Sequence, residues 1–569
     1  MQRIGPFVYT EHPVMRPPLA DGRDPGRAPV AIAGGGPVGL ALALALARHG
    51  LRSVVLESDT TVCVGSRAIC ISRRSLEILG ALGALDGHLA KGLPWAGGRT
   101  FHGLSQILHF TMPQEERPRL PPMINIQQYR IEQYLVDAIA ALPPGLVDLR
   151  WGHELEAFDQ DEDGVSLRVR AAGTGYAMHT DRLVACDGGQ SPVRRAMGLK
   201  LEGAAFEGKY VIVDITLPSA WPTERRAWFD PPSNPGSTVL MHKQPDDLWR
   251  IDYQIPDDAD LDAAMAPEAV RAFVRRHLEM LGEAHLPWEI VWISAYRAGA
   301  MTLERYRHGR VLFAGNAAHA MPIFGVRGLN SGLDDAFNLG WKLAAVARGE
   351  AGEALLDSYD HERIHAFHVN AQSAIKSTEF MAPPSRGFAL MREAALTLAH
   401  RHPAIAGLAN PRQTTAIGYP RSPLNAEPDP ALAASPAPGD PPLETPLAGP
   451  GGATHLSAML DGCWTALVFA ADGDRELPAA LDGALLDLER GTPVVRTLVI
   501  ARDGEPAAAG SRWRAVDADG IAARRWAAPP GSAFLLRPDG HVVGGWAHPD
   551  GRMLAAALAR AACRTEEAR

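Results

Sequence analysis

Between Val30 and Glu57 the chain runs in the order strand, glycine turn, helix, strand, acid, and few folds admit that order. Val30-Ala31-Ile32-Ala33 is a short apolar run, and Gly34-Gly35-Gly36-Pro37-Val38-Gly39 fits G-x-G-x-x-G. Leu40 to His49 is apolar on every helical face until Gly50 ends it. Ser53-Val54-Val55-Leu56 forms the next strand, and Glu57 closes it about 20 residues beyond the glycines. A backbone without Cβ can approach a pyrophosphate lying on a helix N-terminus, and the acid can hold a ribose hydroxyl. Glycine turns alone are common. The setting between strand and helix, with the acid at its distance, makes Gly34, Gly36, Gly39 and Glu57 candidate dinucleotide contacts.

A second stretch, Arg310 to Leu343, repeats the logic. Val311 to Ala314 reads as a buried strand ended by Gly315, a glycine-rich passage runs from Gly325 to Gly332, and a helical pattern follows through Leu333, Ala336, Phe337 and Leu339. A glycine-dense turn into a helix leaves free N–H groups and the positive dipole end facing an anion. A third strand, Leu183 to Cys186, runs into Asp187-Gly188-Gly189-Gln190-Ser191-Pro192-Val193-Arg194-Arg195. Two further segments hold polar residues that a surface position would also explain: Arg67-Ala68, and Gln128 at the head of an amphipathic run to Leu135.

At 569 residues the chain has room for three or four domains of roughly 150 residues. A net charge of -9 and a pI near 6.1 speak against nucleic acid as the main partner, because phosphate binding calls for a basic surface. The cysteines, Cys63, Cys70, Cys186, Cys463 and Cys563, are too scattered for a disulfide framework or a metal site, so a reducing compartment is expected. The longest apolar run, Val38 to Ala47, is too short to span a bilayer, and residues 1 to 28 lack the apolar core of a signal peptide. The expectation is a cytoplasmic protein without a membrane partner.

Taken together, these segments resemble the FAD-dependent aromatic hydroxylases, the group A flavoprotein monooxygenases of the para-hydroxybenzoate hydroxylase type. The family's second flavin motif stands here as Gly315-Asn316-Ala317-Ala318-His319, Pro322, the glycine-rich loop, and Asp335-Ala336-Phe337-Asn338-Leu339-Gly340-Trp341-Lys342-Leu343. One position departs: Asn316 replaces the aspartate that accepts from the ribityl chain, and its amide oxygen accepts without charge assistance. The resemblance implies that Arg67 lies beside flavin and pyrophosphate, that Gln128 reaches the cofactor, and that Asp187 and Gly188 touch FAD. It further implies that Pro322 walls the flavin ring, and that the turn through Gly328 presents the Leu329 and Asn330 N–H groups to the pyrimidine edge, favouring the anionic reduced form. Tyr359 to Arg363 matches the family's Tyr-x-x-Glu-Arg, read as structural support.

The resemblance implies an α/β chain with a discontinuous Rossmann-like FAD-binding domain (29–100, 126–200, 298–375), a β-sheet substrate domain (101–125, 201–297) and a thioredoxin-like C-terminal domain (453–569). A tail (1–28), a helical segment (376–425) and a Pro/Ala/Gly-rich linker (426–452) complete it. The substrate sheet is also visible in the residues, as short β-branched and aromatic runs such as Thr238 to His242 and Leu248 to Ile255 separated by turn formers. The C-terminal domain has no C-x-x-C, so packing or oligomerisation, with a homodimer allowed, is its expected role.

The implied activity is hydroxylation of a small phenolic substrate with NAD(P)H and O2 through a flavin hydroperoxide, shielded from water. Loss of the phenolic proton needs an acceptor, and His242, Tyr253 and Arg250 are the candidates, Arg250 as a carboxylate receiver. The alternatives are a flavin monooxygenase acting on a polyketide or other non-phenolic ring, and a non-catalytic scaffold of the same fold.

Overall fold

The computed structural model describes residues 3–4, 7–410, 413–471 and 477–564; the remainder of the expected tail and C-terminal domain lies outside the described residues. Its first large sheet has the strands Val147–Trp151, Ser53–Glu57, Arg23–Ala33 and Thr174–Ala185 side by side and parallel. Val311–Phe313 pairs parallel on the far side of Thr174–Ala185. The antiparallel strands Val165–Ala171 and His153–Gln160 extend that strand's first half. Register explains why this sheet builds a site. Ala33 stands opposite Ala185, and Ala185 opposite Phe313, so three strands from distant parts of the sequence end at one level. The turns that leave them are Gly34 to Gly39, Asp187-Gly188 and Gly315-Asn316.

The apolar helix is Pro37–Arg48, and Leu40 to Leu46 are essentially inaccessible. The helix Gly328–Ala347 packs on it through glycines: a Cβ on Gly332 or Gly340 would come within 2.6 Å of Val38 or 2.5 Å of Ala45. Helical residues without side chains let the two backbones approach that closely.

The second sheet is antiparallel except for one pair. Its order is His319–Ala320, Glu289–Thr302, Glu202–Thr216, Leu248–Ile255, Thr238–Gln244, Arg225–Phe229, Gly97–His102, Ser105–Thr111. One face buries Val211, Val213, Trp249, Ile251 and Tyr253 under the helix Pro267–Leu281, with Val270, Phe273 and Leu278 opposite them. The other face looks toward the glycine turns.

The C-terminal sheet runs Ala507–Ala509, Arg512–Val516, Val495–Ala501, Trp464–Phe469, Ala533–Leu536, Val542–Trp546. Arg512–Val516, Val495–Ala501 and Trp464–Phe469 are parallel, Ala533–Leu536 pairs antiparallel with the last of these, and Val542–Trp546 pairs antiparallel with Ala533–Leu536. Helices Ala479–Arg490 and Gly551–Ala561 cover one face and Ile521–Arg525 the other, a thioredoxin-like arrangement.

Two expectations are corrected. Within the expected tail, residues 7–28 are part of the fold: Phe7 and Tyr9 are buried against Tyr129, ring centroids 4.5 and 5.8 Å away, and Arg23 already lies in the central strand. Aromatic side chains near the terminus have enough apolar area to dock. The linker 426–452 is not a free connection: it is exposed at many positions, Glu427 and Ala433 among them, but docks at intervals. Leu432, Thr445 and Leu447 are buried, and Ala426, Gly439 and Ala448 bond to the backbone of Val543, Val542 and Val516, which supplies the partners that buried backbone requires.

Candidate active site

The three turns open into one cleft of about 970 Å³, roofed by the second sheet. Each glycine of the first turn has its own reason. Gly34 has φ +102°, and a Cβ there would meet the Cys186 carbonyl oxygen at 2.5 Å; one on Gly39 would meet the Gly34 oxygen at 2.0 Å. Gly36 is different, because a Cβ there would have no protein atom within 4 Å and would project into open space. Gly36 is also the N-cap of Pro37–Arg48, with no side chain closing the helix end. Gly188 and Gly328 are likewise open where a Cβ would stand.

Polar side chains ring this opening. Glu57 accepts the Gly35 N–H at 2.6 Å and the Asp59 N–H at 2.8 Å, and burial holds its carboxyl above the usual range. Asp187 accepts the Val193 N–H through Oδ2 at 3.0 Å, whereas its buried Oδ1 has no partner. Gln128 receives the Arg67 and Ala68 N–H groups on Oε1 and donates to Glu132, so its amide shapes the loop that carries Arg67. Asn316 is exposed to the cleft. Asn330 receives the Ser72 N–H at 2.9 Å and the Ser75 hydroxyl at 2.7 Å, and donates to the carbonyls of Cys70 and Val326. Those bonds hold the turn before Gly328–Ala347, where Val326 takes φ +55°, a costly value for a β-branched residue. Of the expected cofactor residues, Gly34, Gly36, Glu57, Arg67, Gln128, Asp187, Gly188, Asn316, Pro322, Gly328, Leu329 and Asn330 line the cleft; Gly39 lies just behind it as a packing glycine.

A second layer fixes these turns. Asp335 accepts from the Gly315 N–H at 3.0 Å, His319 Nε2 at 2.7 Å and Arg363 Nε at 2.6 Å, all buried. Arg363 also donates to the Ser331 carbonyl and the Tyr419 hydroxyl. The His319, Asp335 and Tyr359–Arg363 motifs therefore meet as one support.

The expected catalytic residues separate. His242 lies on the cleft face, 6% exposed, with Nδ1 unpartnered; burial, then Arg225 and Arg250, push it down to about 3, so the imidazole is neutral. Arg250 also faces the cleft, but it pairs with Asp214 and donates to the Ser66 and Arg67 carbonyls. It is a brace for the loop, not a free carboxylate receiver. Tyr253 is corrected outright: it is on the opposite face, stacked on Phe273 at 3.6 Å. Strand alternation already forbids Arg250 and Tyr253 a common side. The same alternation points to the residue missed, Asp252, which lines the cleft with Oδ1 unpartnered and is raised by burial to about 7. Arg225, which lines the cleft one residue before the Arg226–Met241 pair and acts electrostatically on His242, was missed too.

A glycine cradle on an uncapped helix end, ringed by a ribose-reaching acid and an unpartnered aspartate oxygen, defines a dinucleotide-binding flavoprotein site, and these residues fit FAD. Residues 27–374 match the family described as FAD binding domain, and the chain belongs to that family. It is 29% identical over 369 residues to a protein from Mycolicibacterium smegmatis named 3-(3-hydroxy-phenyl)propionate/3-hydroxycinnamic acid hydroxylase, covering 65% of this chain and 64% of that one. A Klebsiella pneumoniae protein of the same name is 31% identical over 367 residues, 64% of each. The match thus spans less than two thirds of these curated relatives. Among solved structures, the flavin-dependent monooxygenase PieE with FAD and substrate superposes with TM-score 0.77 at 25% identity, over 94% of this chain and 100% of that one. Aklavinone-11 hydroxylase with FAD and aklavinone, at 22% identity, TM-score 0.75 and coverage of 95% and 100%, shares the fold.

No helix among the described residues is long and apolar enough to cross a membrane, and no cluster of metal-ligating side chains occurs among them.

Proposed function

We propose that the chain hydroxylates a phenolic aromatic compound, taking electrons from NAD(P)H and oxygen from O2, with FAD bound in the cleft. The observation that carries this reading is the junction of two surfaces: the glycine cradle of the FAD binding domain opens onto a sheet face that holds buried, unpartnered polar atoms of His242 and Asp252. What sets these two atoms apart from other buried unpartnered atoms of the fold, such as His277 Nε2, is that they face the cleft, where a substrate hydroxyl can reach them. The names of the aligned relatives agree with a phenolic substrate.

FAD, when bound, accepts hydride and activates O2 for transfer of one oxygen atom to the ring. Gly34 to Gly39 and the first turn of Pro37–Arg48 would hold its pyrophosphate, Glu57 a ribose, and Asp187 and Asn316 the linking chain. Pro322 and the Gly328–Asn330 turn would flank the flavin ring. Ile212, Leu240, Met321 and Phe324 supply apolar wall that keeps water from the reacting ring. Asp252, raised to about 7, is the side chain tuned to accept a phenolic proton at neutral pH, and neutral His242 on the same face can accept a hydrogen bond from the hydroxyl without taking its proton.

The visible absorption spectrum of the purified protein, before and after adding FAD, tests the reading. One flavin per chain is expected, followed by phenol-stimulated NAD(P)H oxidation. No flavin bound in excess FAD would refute it.

A further inference from the structure

The matched family region ends at residue 374, and the chemistry proposed above makes no use of the C-terminal domain. One turn of that domain nevertheless reaches out of its own sheet. Arg537-Pro538-Asp539-Gly540-His541 joins Ala533–Leu536 to Val542–Trp546, and a connection of such polarity ordinarily faces solvent. Here Arg537, Asp539 and His541 are each no more than 2% exposed. Arg537 donates to both oxygens of Glu362, and Asp539 Oδ2 accepts from Asn338 and Trp341, each at 3.2 Å. The Asp539 carbonyl accepts from Arg74 at 3.0 Å, and His541 stacks on Tyr419 at 4.4 Å.

These partners stand directly behind the contacts that line the cleft. Glu362 is followed on helix Ala354–Met381 by Arg363, whose Nε holds Asp335, the acceptor of the Gly315 N–H. Arg363 Nη2 holds the Ser331 carbonyl, next to Asn330. Its Nη1 donates to the Tyr419 hydroxyl at 2.8 Å, and the Arg537 guanidinium lies over that same tyrosine ring, 5.5 Å from the centroid. Asn338 and Trp341 belong to Gly328–Ala347, whose first turn lines the cleft. Arg74 belongs to helix Arg73–Ala81, where the N-cap Ser72 gives its N–H and Ser75 its hydroxyl to Asn330 Oδ1. Three helices under the cleft thus meet on one turn of another domain.

Docking alone does not call for this arrangement. Buried ion pairs hold domains together no better than apolar contacts of similar size, and the two domains already share one of those, Trp341 against Trp464 with centroids 5.5 Å apart. What a guanidinium adds is direction, because its donors engage partners only in the plane of a fixed fork. We infer that the C-terminal domain serves the flavin site: Arg537, Asp539 and His541 are positioning residues that act through Arg363, Tyr419 and Arg74 to set the Gly315–Asn316 and Gly328–Asn330 turns at the spacing FAD requires. The inference rests on FAD in the cleft and not on the hydroxylation step.

The test is FAD titration of the full-length, FAD-free protein, read by quenching of flavin fluorescence, with the melting temperature of each variant measured alongside. Arg537→Gln is expected to weaken FAD by ~10- to 30-fold and Tyr419→Phe by ~3- to 10-fold. Arg537→Lys keeps the charge without the fork and should fall between parent and Arg537→Gln. The control is Ile500→Ala, 3% exposed in a C-terminal apolar cluster that holds no residue of the FAD-binding domain. It should lower the melting temperature and leave FAD affinity within about 2-fold. Parental FAD affinity in both Arg537→Gln and Tyr419→Phe overturns the inference, and so does an Ile500→Ala that loses as much affinity as Arg537→Gln. Should Arg537→Gln fail to fold, Tyr419→Phe decides by the same comparison. An unmutated protein that binds no FAD overturns the cofactor placement and the inference with it. Weakening in the expected order, without turnover of any phenol, upholds the positioning role and overturns the hydroxylase reading.

Discussion

Arg250 and Asp214 form a two-point ion pair across neighbouring strands of the roof, Nε to Oδ1 2.9 Å and Nη2 to Oδ2 2.8 Å, both side chains under 5% exposed. The same guanidinium holds the Ser66 and Arg67 carbonyls, so one side chain joins the sheet over the cleft to the loop beneath it. Removing either partner leaves a buried charge unpaired, which costs ~3–5 kcal/mol. Arg250→Gln and Asp214→Asn should each lower the midpoint of urea unfolding, and the double variant should lose less than the sum of the two. Additive losses would show that the pair does not act as a unit.

The glycines of the first turn separate packing from binding. Gly39→Ala puts a methyl 2.0 Å from the Gly34 carbonyl oxygen, so it should lower the melting temperature of the FAD-free protein. Gly36→Ala meets no protein atom within 4 Å and has an ordinary φ of -72°, so the FAD-free melt should be unchanged. Its methyl occupies the space where a pyrophosphate would lie, and FAD titration should show affinity down by ~10-fold or more. Unaltered FAD affinity in Gly36→Ala would move the cofactor out of this turn.

A carboxyl raised to about 7 acts as a base only above that pH. If Asp252 takes the phenolic proton, kcat/KM should rise as pH climbs through about 7 and level off, and Asp252→Asn should lose that limb. Tyr253→Phe is the control. Its hydroxyl lies across the sheet, so both rate and pH profile should survive; a shifted profile in Tyr253→Phe would place the proton chemistry on the wrong face.

The C-terminal domain is tied to the FAD-binding domain by buried charge. Glu362 accepts from Lys342 Nζ at 2.7 Å, from Asn338 at 2.8 Å and from Arg537; Arg537 in turn pairs with Asp539 at 2.6 Å, and Asp539 takes Trp341 Nε1 at 3.2 Å. Burial opposes ionisation of Glu362, but Arg537 and Lys342 outweigh it and hold the carboxyl well below the usual range. A depressed folded pKa stabilises above the unfolded value, roughly 4.3, and that contribution is lost as pH falls below it. Glu362→Gln should therefore cost ~3–5 kcal/mol at pH 7 by urea unfolding, with the difference from the parent shrinking toward pH 3. A pH-independent difference would contradict the ionic account.

What could be read from the sequence follows the range of the interactions. The turn at Gly34 to Gly39, the Asp187-Gly188 string and the Gly315 to Leu343 stretch are local patterns, each specified by a strand, a glycine and a helix within some 30 residues. The sites on the roof are not. Arg225 faces the cleft beside His242 and Asp252 only because three strands pair in one register, and nothing along the chain announces that pairing. One signal was present and unused: residues 250 and 252 share a face, and 253 has the other. The anchoring of the linker stayed hidden for a related reason, since Pro, Ala and Gly mark a turn-rich segment without saying what it docks on.

Hydroxylation itself is tested most directly by isotope. The FAD-supplemented protein is incubated with NADPH, 3-(3-hydroxyphenyl)propionate and 18O2, and the aromatic product is weighed by mass spectrometry. One labelled oxygen on the ring is expected for each NADPH consumed in coupled turnover. NADPH oxidation that yields only hydrogen peroxide, from this phenol and from every other aromatic acid offered, with no label on any ring, would contradict it.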